Sequence, residues 1–397
     1  MKNSPTAQGE LLLRNARLVL PHKVVEDAAL LVTEGRIARI WERAGGEDAQ
    51  ADELLELDSA TIFPGFIDVH IHGAVGVDTL TATADDLHKV AHFLAKQGVT
   101  GWLPTLVPAP DEDYARAVEA IAQLMREQAA RPPAARAVGV HYEGPFVNRA
   151  QCGALRLPYF RSYHTPADVA QLPVVADAPR MITVAPEIEG GIELVRELTA
   201  RGWIVSIGHT RADVATLDAA LALGARHMTH FFNAMSPLHH RAPGPIGWGL
   251  TSDDVTCDLI ADGVHTDPLM LRLALRCKTH ERLLLISDAV APTGLGDGTY
   301  KIWDEQISVV NGRTQNERGS IAGSVSAMRD GVRLLHTLGV APHKLARMTA
   351  LNPARLLGVN DVCGSIELGK RADLTALDDE GRVRLTLIGG RVAHAEL

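Results

Sequence analysis

The chain is short of the features that mark several common protein classes. Only four cysteines occur among its 397 residues, Cys152, Cys257, Cys277 and Cys363, and no two are spaced C-x-x-C. That usage argues against a disulfide framework and a cysteine zinc knuckle, and it fits a reducing compartment, by default the cytoplasm. No apolar run approaches the 18 or so residues of a membrane span, and the opening MKNSPTAQGELLLRNARLVL lacks the continuous apolar stretch of a secretion signal. No targeting or membrane anchoring is therefore expected. The phosphate-cradling motifs G-x-G-x-x-G and G-x-x-x-x-G-K-[ST] are missing too, which argues against an open dinucleotide-binding sheet and a P-loop. Positive charge is scarce: the net charge is -9 and the basic residues are scattered. Nucleic acid and anionic membrane surfaces are thus excluded as partners, and an anionic substrate would need a local basic pocket.

What is present is 46% hydrophobic residues against 22% charged, enough for one large domain and a smaller one. From about Leu11 to Leu57 short apolar runs alternate with turn residues, as in antiparallel strands. The same texture returns in SIELGKRADLTALDDEGRVRLTLIGGRVAHAEL. Residues 1–60 and 361–397 are therefore expected to form one small β-sandwich domain from both termini. Between them, over residues 61–360, eight strand candidates alternate with helical patterns: FPGFIDVH, VTGWLPTL, ARAVGVHYEG, MITVAPE, WIVSIGH, HMTHFFNAM, VTCDLIAD and RLLLISDA. Helices are expected in segments such as DDLHKVAHFLAKQG, EDYARAVEAIAQLMREQ and DPLMLRLALRCK, most of which end at glycine or a basic residue. Eight strand-helix units predict an α/β chain built as a (β/α)8 TIM-type barrel.

Catalytic groups of such barrels stand at the C-terminal ends of the strands. Here the first strand ends in His70-Ile-His72, the third in His141-Tyr-Glu143, the fifth in His209, the sixth in His230 and the eighth in Asp288. Any one of these histidines could be a hydrogen-bonded rim residue. Their placement on separate strands of one barrel points instead to a divalent metal, zinc first and iron or manganese as alternatives, since imidazole and carboxylate suit those ions. His-x-His strengthens the case, because alternate residues of a strand face one way and can share an ion. His141 is expected to support the ligands, and Asp68 and Glu187 to brace them or serve structure.

The segments PGFIDVHIHG, GVHYEGPFVN, VAPE, IGHT, THFFNAM, IADGVH, SDA, NPARLLG and GKRADL run in the order, and at about the spacing, of the N-acetylglucosamine-6-phosphate deacetylase family of the amidohydrolase superfamily, which this chain resembles over nearly its whole length. The resemblance implies a metal-dependent hydrolase acting on the acetamide of an amino-sugar 6-phosphate, usually a homodimer whose active site lies near the subunit interface. It implies Glu143, His209 and His230 as ligands of the principal metal and Asp288 as the catalytic acid/base. His70 and His72 could hold a second ion, so one or two ions per subunit are expected. Substrate contacts fall to Ala154, Asn233, the backbone N–H of Ala234, Arg241 and His265, part of this set reaching in from a neighbouring subunit.

One departure stands out. Where that family usually has Gly-Ala-His, this chain reads Gly153-Ala154-Leu155, and leucine cannot donate a hydrogen bond to the acyl oxygen. Another group such as His164 or a second metal is then expected to stabilise the oxyanion, or the acyl group or substrate differs. Competing readings are a deacetylase for N-acetylgalactosamine 6-phosphate or another N-acyl substrate, a cyclic amidohydrolase, and a barrel scaffold without metal. No lysine closes a middle strand, as the cyclic amidohydrolases' carboxylated bridge would need. Cys152 reads as a small packing residue beside this loop.

Overall fold

The run FPGFIDVH reads as one strand, yet the structure divides it at Gly65. Thr61–Pro64 belongs to a sheet made from both termini, and Phe66–Ile71 is the first strand of the barrel. The reason is local: a Cβ on Gly65 would lie 2.2 Å from Thr100 Cγ2, so only glycine lets the chain cross there. The sheet thus reaches Pro64, a few residues past the expected boundary at 60. This computed structural model describes residues 9–42 and 49–396; the parts of the terminal-domain and signal readings that fall on residues 1–8, 43–48 and 397 lie outside the described residues.

The terminal sheet is mixed. Its C-terminal strands Arg391–Ala395, Val383–Ile388 and Leu374–Leu377 run in that order into Thr61–Pro64, which passes the pairing on to Leu11–Val19, Val24–Thr33 and Arg36–Trp41. Alternate residues such as Leu11, Leu13, Leu30, Ile62, Leu374 and Leu385 turn inward to a core of their own, as the two-residue period of strands requires.

The barrel is the predicted one. Its strands are Phe66–Ile71, Val99–Leu106, Val140–Glu143, Arg180–Val184, Ile204–Ile207, His227–Met228, Thr256–Ile260 and Leu283–Ile286, paired in parallel in that order. A parallel bridge between Ile71 and Ala289 closes the ring. The sixth strand is only two residues long, because the chain turns out at Thr229 toward the site. Ile67, Val69, Leu103, Met181, Leu284 and Ile286 pack inside the barrel, and Ala354 and Leu357 join that cluster from the last helix, Asn352–Leu356, and its end. Asn352 fastens that segment by donating Nδ2 to the carbonyls of His280 and Leu283, both at 2.8 Å.

After the eighth strand comes a three-stranded antiparallel sheet, Gly298–Ile302, Glu305–Val310 and Arg313–Asn316, which the strand-helix reading of residues 61–360 does not contain. It has a small core of Val290, Ile302, Ile307 and Ala322. Two links carry it back to the loop after the third strand: Arg156 pairs with Asp304 at 3.2 Å, and Arg318 donates to Ala154 O at 3.2 Å. Among the described residues no helix is long and apolar enough to cross a membrane, and all four cysteines are free.

Candidate metal centre

Six of the seven strand-end groups converge on the barrel axis, and all six are buried. Glu143, His209 and His230 form one donor group and His70, His72 and Asp288 a second; among the described residues these are the two clusters able to hold a metal ion. Glu143 faces both. Its Oε1 lies 2.9 Å from His230 Nε2 and 3.0 Å from His209 Nε2, while its Oε2 lies 3.2 Å from His72 Nε2. Asp288 Oδ1 stands 3.4 Å from Nε2 of both His70 and His72.

The imidazoles also crowd one another. His209 and His230 bring their Nε2 atoms to 3.1 Å, and His70 and His72 do the same. Nε2 lone pairs brought together this way repel unless something positive lies between them. Donors about 2.1 Å from one shared cation stand roughly 3.0–3.4 Å apart, so the observed spacings fit a metal. The donor set, imidazole plus carboxylate with no thiolate, fits a catalytic rather than a structural ion.

Electrostatics agree with the geometry. Burial pushes the Glu143 carboxyl up, but the charge of His70 and hydrogen bonds from His209, His230 and His70 outweigh it and hold the group well below the carboxylate range. Burial likewise works against protonating His72 and His230. Yet hydrogen bonds from His72 to Asp288 and Glu143 carry its pKa to about 10, and the hydrogen bond from His230 to Glu143, with that group's charge, carries His230 to about 9. Two buried carboxylates thus demand positive charge between them, whether protons or a cation supply it.

The backbone pays attention to the same atoms. His209, His230 and Asp288 all adopt left-handed conformations, with φ of 47°, 31° and 51°. Such strain in non-glycine residues costs of order 1–3 kcal/mol each and clusters at working sites. Beneath the donors lies a layer of supports. His209 Nδ1 sits 2.7 Å from Gln151 O. Asp258 accepts from the His230 backbone N–H and lies 3.0 Å from His227 Nε2. Asp68 takes the hydroxyl and backbone N–H of Ser287, tying the first strand to the eighth, and burial raises its pKa to about 6. Glu187 joins three loops through Asn148 Nδ2, Thr210 Oγ1 and the N–H of Arg211.

The seventh strand-end group, His141, turns elsewhere. Its Nε2 lies 2.8 Å from Thr183 Oγ1 and its Nδ1 3.3 Å from Thr105 Oγ1, and burial first, then the charge of His70, holds its pKa well below 6.5. It is a neutral ring packed edge-on to His70 at 4.7 Å.

Above the donors opens a cavity of about 470 Å³. Of the expected substrate contacts, Ala154, Asn233, Ala234 and His265 line it. Asn233 donates to His230 O at 3.2 Å, and His265 Nδ1 is fixed 2.7 Å from Asp262 Oδ2. Arg241 is not brought in: it is exposed on the loop after the sixth strand, outside the lining of its own chain's cavity. His164 is also exposed and away from the lining, which removes it as an oxyanion donor. Leu155 does line the cavity and is almost fully buried, as does Trp303 from the unpredicted sheet, its ring edge-on to His72 at 5.3 Å. The sequence reading missed Asp258 and Trp303. A charge in the middle of VTCDLIAD could have revealed the first; no local pattern marks the second.

Comparison with known proteins fits this geometry. Residues 61–393 match the amidohydrolase family. The chain is 36% identical to the human N-acetylglucosamine-6-phosphate deacetylase over 408 residues, covering 99% of this chain and 98% of that protein. It is 35% identical to the N-acetylgalactosamine-6-phosphate deacetylase of Escherichia coli O157:H7, covering 96% of this chain and 99% of that one. A solved structure of the Mycobacterium smegmatis N-acetyl-D-glucosamine-6-phosphate deacetylase, a mutant in complex with N-acetyl-D-glucosamine-6-phosphate, superposes with a TM-score of 0.88 at 31% identity, covering 97% of this chain and all of that one. With that match over residues 61–393 and relatives 35–36% identical over nearly the whole chain, this chain belongs to the amidohydrolase family.

Proposed function

We propose that this protein hydrolyses the acetamide of N-acetylglucosamine 6-phosphate, releasing acetate and glucosamine 6-phosphate. The observation that carries the reading is the convergence of Glu143, His209 and His230 beside His70, His72 and Asp288 under a substrate-sized cavity. N-acetylgalactosamine 6-phosphate is the competing substrate, because a relative bearing that activity in its name is 35% identical.

Glu143, His209 and His230 are the residues to hold a divalent cation, zinc for preference, and His70 with His72 a second. When bound, such a cation polarises the amide carbonyl and lowers the pKa of water from about 15.7 toward 7. Asp288 is held ionised: burial raises its pKa, but the charge of His70 and the hydrogen bond from His72 outweigh that and lower it. It can therefore accept the proton of the attacking water and return it to the nitrogen as the C–N bond breaks, so that an amine rather than an amide anion departs. Asn233, the N–H of Ala234 and His265 orient the sugar on one side of the cavity. Arg241, exposed and outside its own cavity, supports a homodimer in which its guanidinium reaches the phosphate bound by the partner, a geometry well matched to phosphate oxygens. Four free cysteines fit a cytoplasmic setting.

The test is acetate release from the 6-phosphates of N-acetylglucosamine and N-acetylgalactosamine beside the unphosphorylated sugars. Phosphate is expected to raise kcat/KM about 100-fold, the worth of one or two charge-assisted hydrogen bonds. Equal rates with and without phosphate would overturn the phosphate assignment, and a faster galactosamine epimer would replace the glucosamine reading.

A further inference from the structure

A second cleft, of about 520 Å³, opens at the opposite face of the barrel and is as roomy as the cavity of about 470 Å³ above the donors. It lies between the C-terminal end of the helix Pro268–Cys277, the turn that leads into the eighth strand, and the turn that joins the helices Met328–Thr337 and Pro342–Ala346. The first of these helices is about 15 Å long and begins just after His265. The cleft and the cavity therefore stand at its two ends.

The lining is basic in a chain whose net charge is -9. Among the described residues Arg272, Arg276, Lys278, His280 and Lys344 face the cleft, and no carboxylate does. Arg272 and Arg276 stand at i and i+4 of one helix, where like charges repel. Neither they nor Lys344 form an ion pair among the described residues; Glu281, the acid of the adjoining turn, is taken by Arg347 at 2.7 Å. Lys278 is only 4% exposed, and its ammonium donates to the carbonyls of Gly249 and Ser252 at 2.8 and 2.7 Å. Those carbonyls satisfy its hydrogen bonds but bring no counter-charge, and a buried charge without one is costly. Burial first, then the charges of Lys344 and Arg347, lower the pKa of His280, as a positive potential does. Attraction to helix C-termini accounts for Arg276 and Lys344, which lie in the last turns of their helices, but not for Arg272 or the buried Lys278.

We infer that this cleft binds a small phosphate monoester, at a site separate from the metal centre. The charges of Arg272, Arg276, Lys278 and Lys344 suit a dianion better than a single carboxylate, and the guanidinium fork matches phosphate oxygens in pairs. Leu275, Leu338 and Val340 line the same cleft and can cover the organic part of the ester.

Cys277 is exposed and lines the cleft, so its reactivity reports occupancy. The experiment alkylates the whole protein with iodoacetamide, an uncharged reagent, with and without phenyl phosphate, and reads each cysteine by peptide mass spectrometry. Cys152, in the cavity above the donors, reports binding there in the same samples. At about 10 mM and constant ionic strength, phenyl phosphate is expected to slow labelling of Cys277 about threefold or more. A smaller effect, or slowing at Cys152 alone, overturns the inference. Replacing both arginines, Arg272→Gln with Arg276→Gln, is expected to raise the concentration needed for protection about tenfold or more, the worth of lost charge-assisted hydrogen bonds. Protection that needs no more ligand than wild type overturns the assignment to these residues. Benzyl alcohol, which lacks the phosphate, is expected to leave the rate unchanged, and protection equal to that of phenyl phosphate would make the cleft merely apolar. Inorganic phosphate is expected to protect about threefold more weakly, for want of an apolar part, and equal protection overturns the monoester assignment. Should the double variant fail to fold, judged by circular dichroism, Lys344→Gln decides by the same criterion.

Discussion

On one side of Glu143, His209 gives Nδ1 to Gln151 O; His230 is held through its backbone N–H by Asp258, but its Nδ1, like those of His70 and His72 on the other side, is buried with no partner among the described residues. Imidazoles that hold a metal almost always give their second nitrogen to a carboxylate or carbonyl, which fixes ring and tautomer. The two donor groups, close in space and alike in composition, therefore differ at one ring: only His209 has its second nitrogen tied. On the proposed function, the group containing His209 is expected to hold an ion more tightly than the group that includes Asp288.

The severest test of that contrast is Glu143→Ala, since this one carboxylate faces both groups. Tightly bound metal is expected to disappear from elemental analysis after dialysis, with kcat falling about 10³-fold or more. Metal retained at wild-type level would remove Glu143 from the ligand set and dissolve the contrast. Asp288→Asn comes next: turnover is expected to fall about 100-fold or more, the scale of a lost proton transfer, while the ion stays bound. Loss of the ion together with activity would make Asp288 a ligand instead. Smaller again is the difference between His209→Ala and His72→Ala. Metal titrations are expected to show the first losing the tight ion and the second losing at most a weak one, with turnover of the second reduced about 10- to 100-fold. Equal losses would make the two groups equivalent after all.

The smallest effect lies outside the site and calibrates the others. Thr83 caps the helix Ala84–Lys96, with Asp86 answering its backbone N–H in a reciprocal box. Hydrogen bonds from Lys89 and Thr83 lower the Asp86 pKa from 3.8 to about 2. A depressed carboxyl stabilises the fold above its unfolded pKa and loses that contribution as pH falls through the folded one. Asp86→Ala should thus lower the melting temperature slightly at pH 7 without touching kcat, and the gap to wild type should close between about pH 4 and pH 2. A gap that persists at pH 2 would assign the effect to packing.

The donors of both groups were legible in the sequence, because a polar residue closing an apolar strand is conspicuous and a parallel barrel sends every strand end to the same face. The bracing was not. Gln151 acts through a carbonyl that every residue possesses, and His209 adopts a φ of 47° that its identity does not announce. The division at Gly65 was hidden for a related reason: both halves of FPGFIDVH are apolar, and only the proximity of Thr100 forces the break. Trp303 was least accessible of all, since its place at the cavity depends on links between residues 148 and 164 positions apart. Arg241, by contrast, was plain as a candidate from its place after the sixth strand, and the structure leaves it exposed and outside its own chain's cavity.

The left-handed backbones of His209, His230 and Asp288 have an evolutionary consequence. Selection for a more heat-resistant chain, applied without a demand for turnover, would be drawn to these three positions, where glycine relieves the torsion that histidine and aspartate must bear. Selection for stability alone and selection for turnover would thus pull these positions in opposite directions.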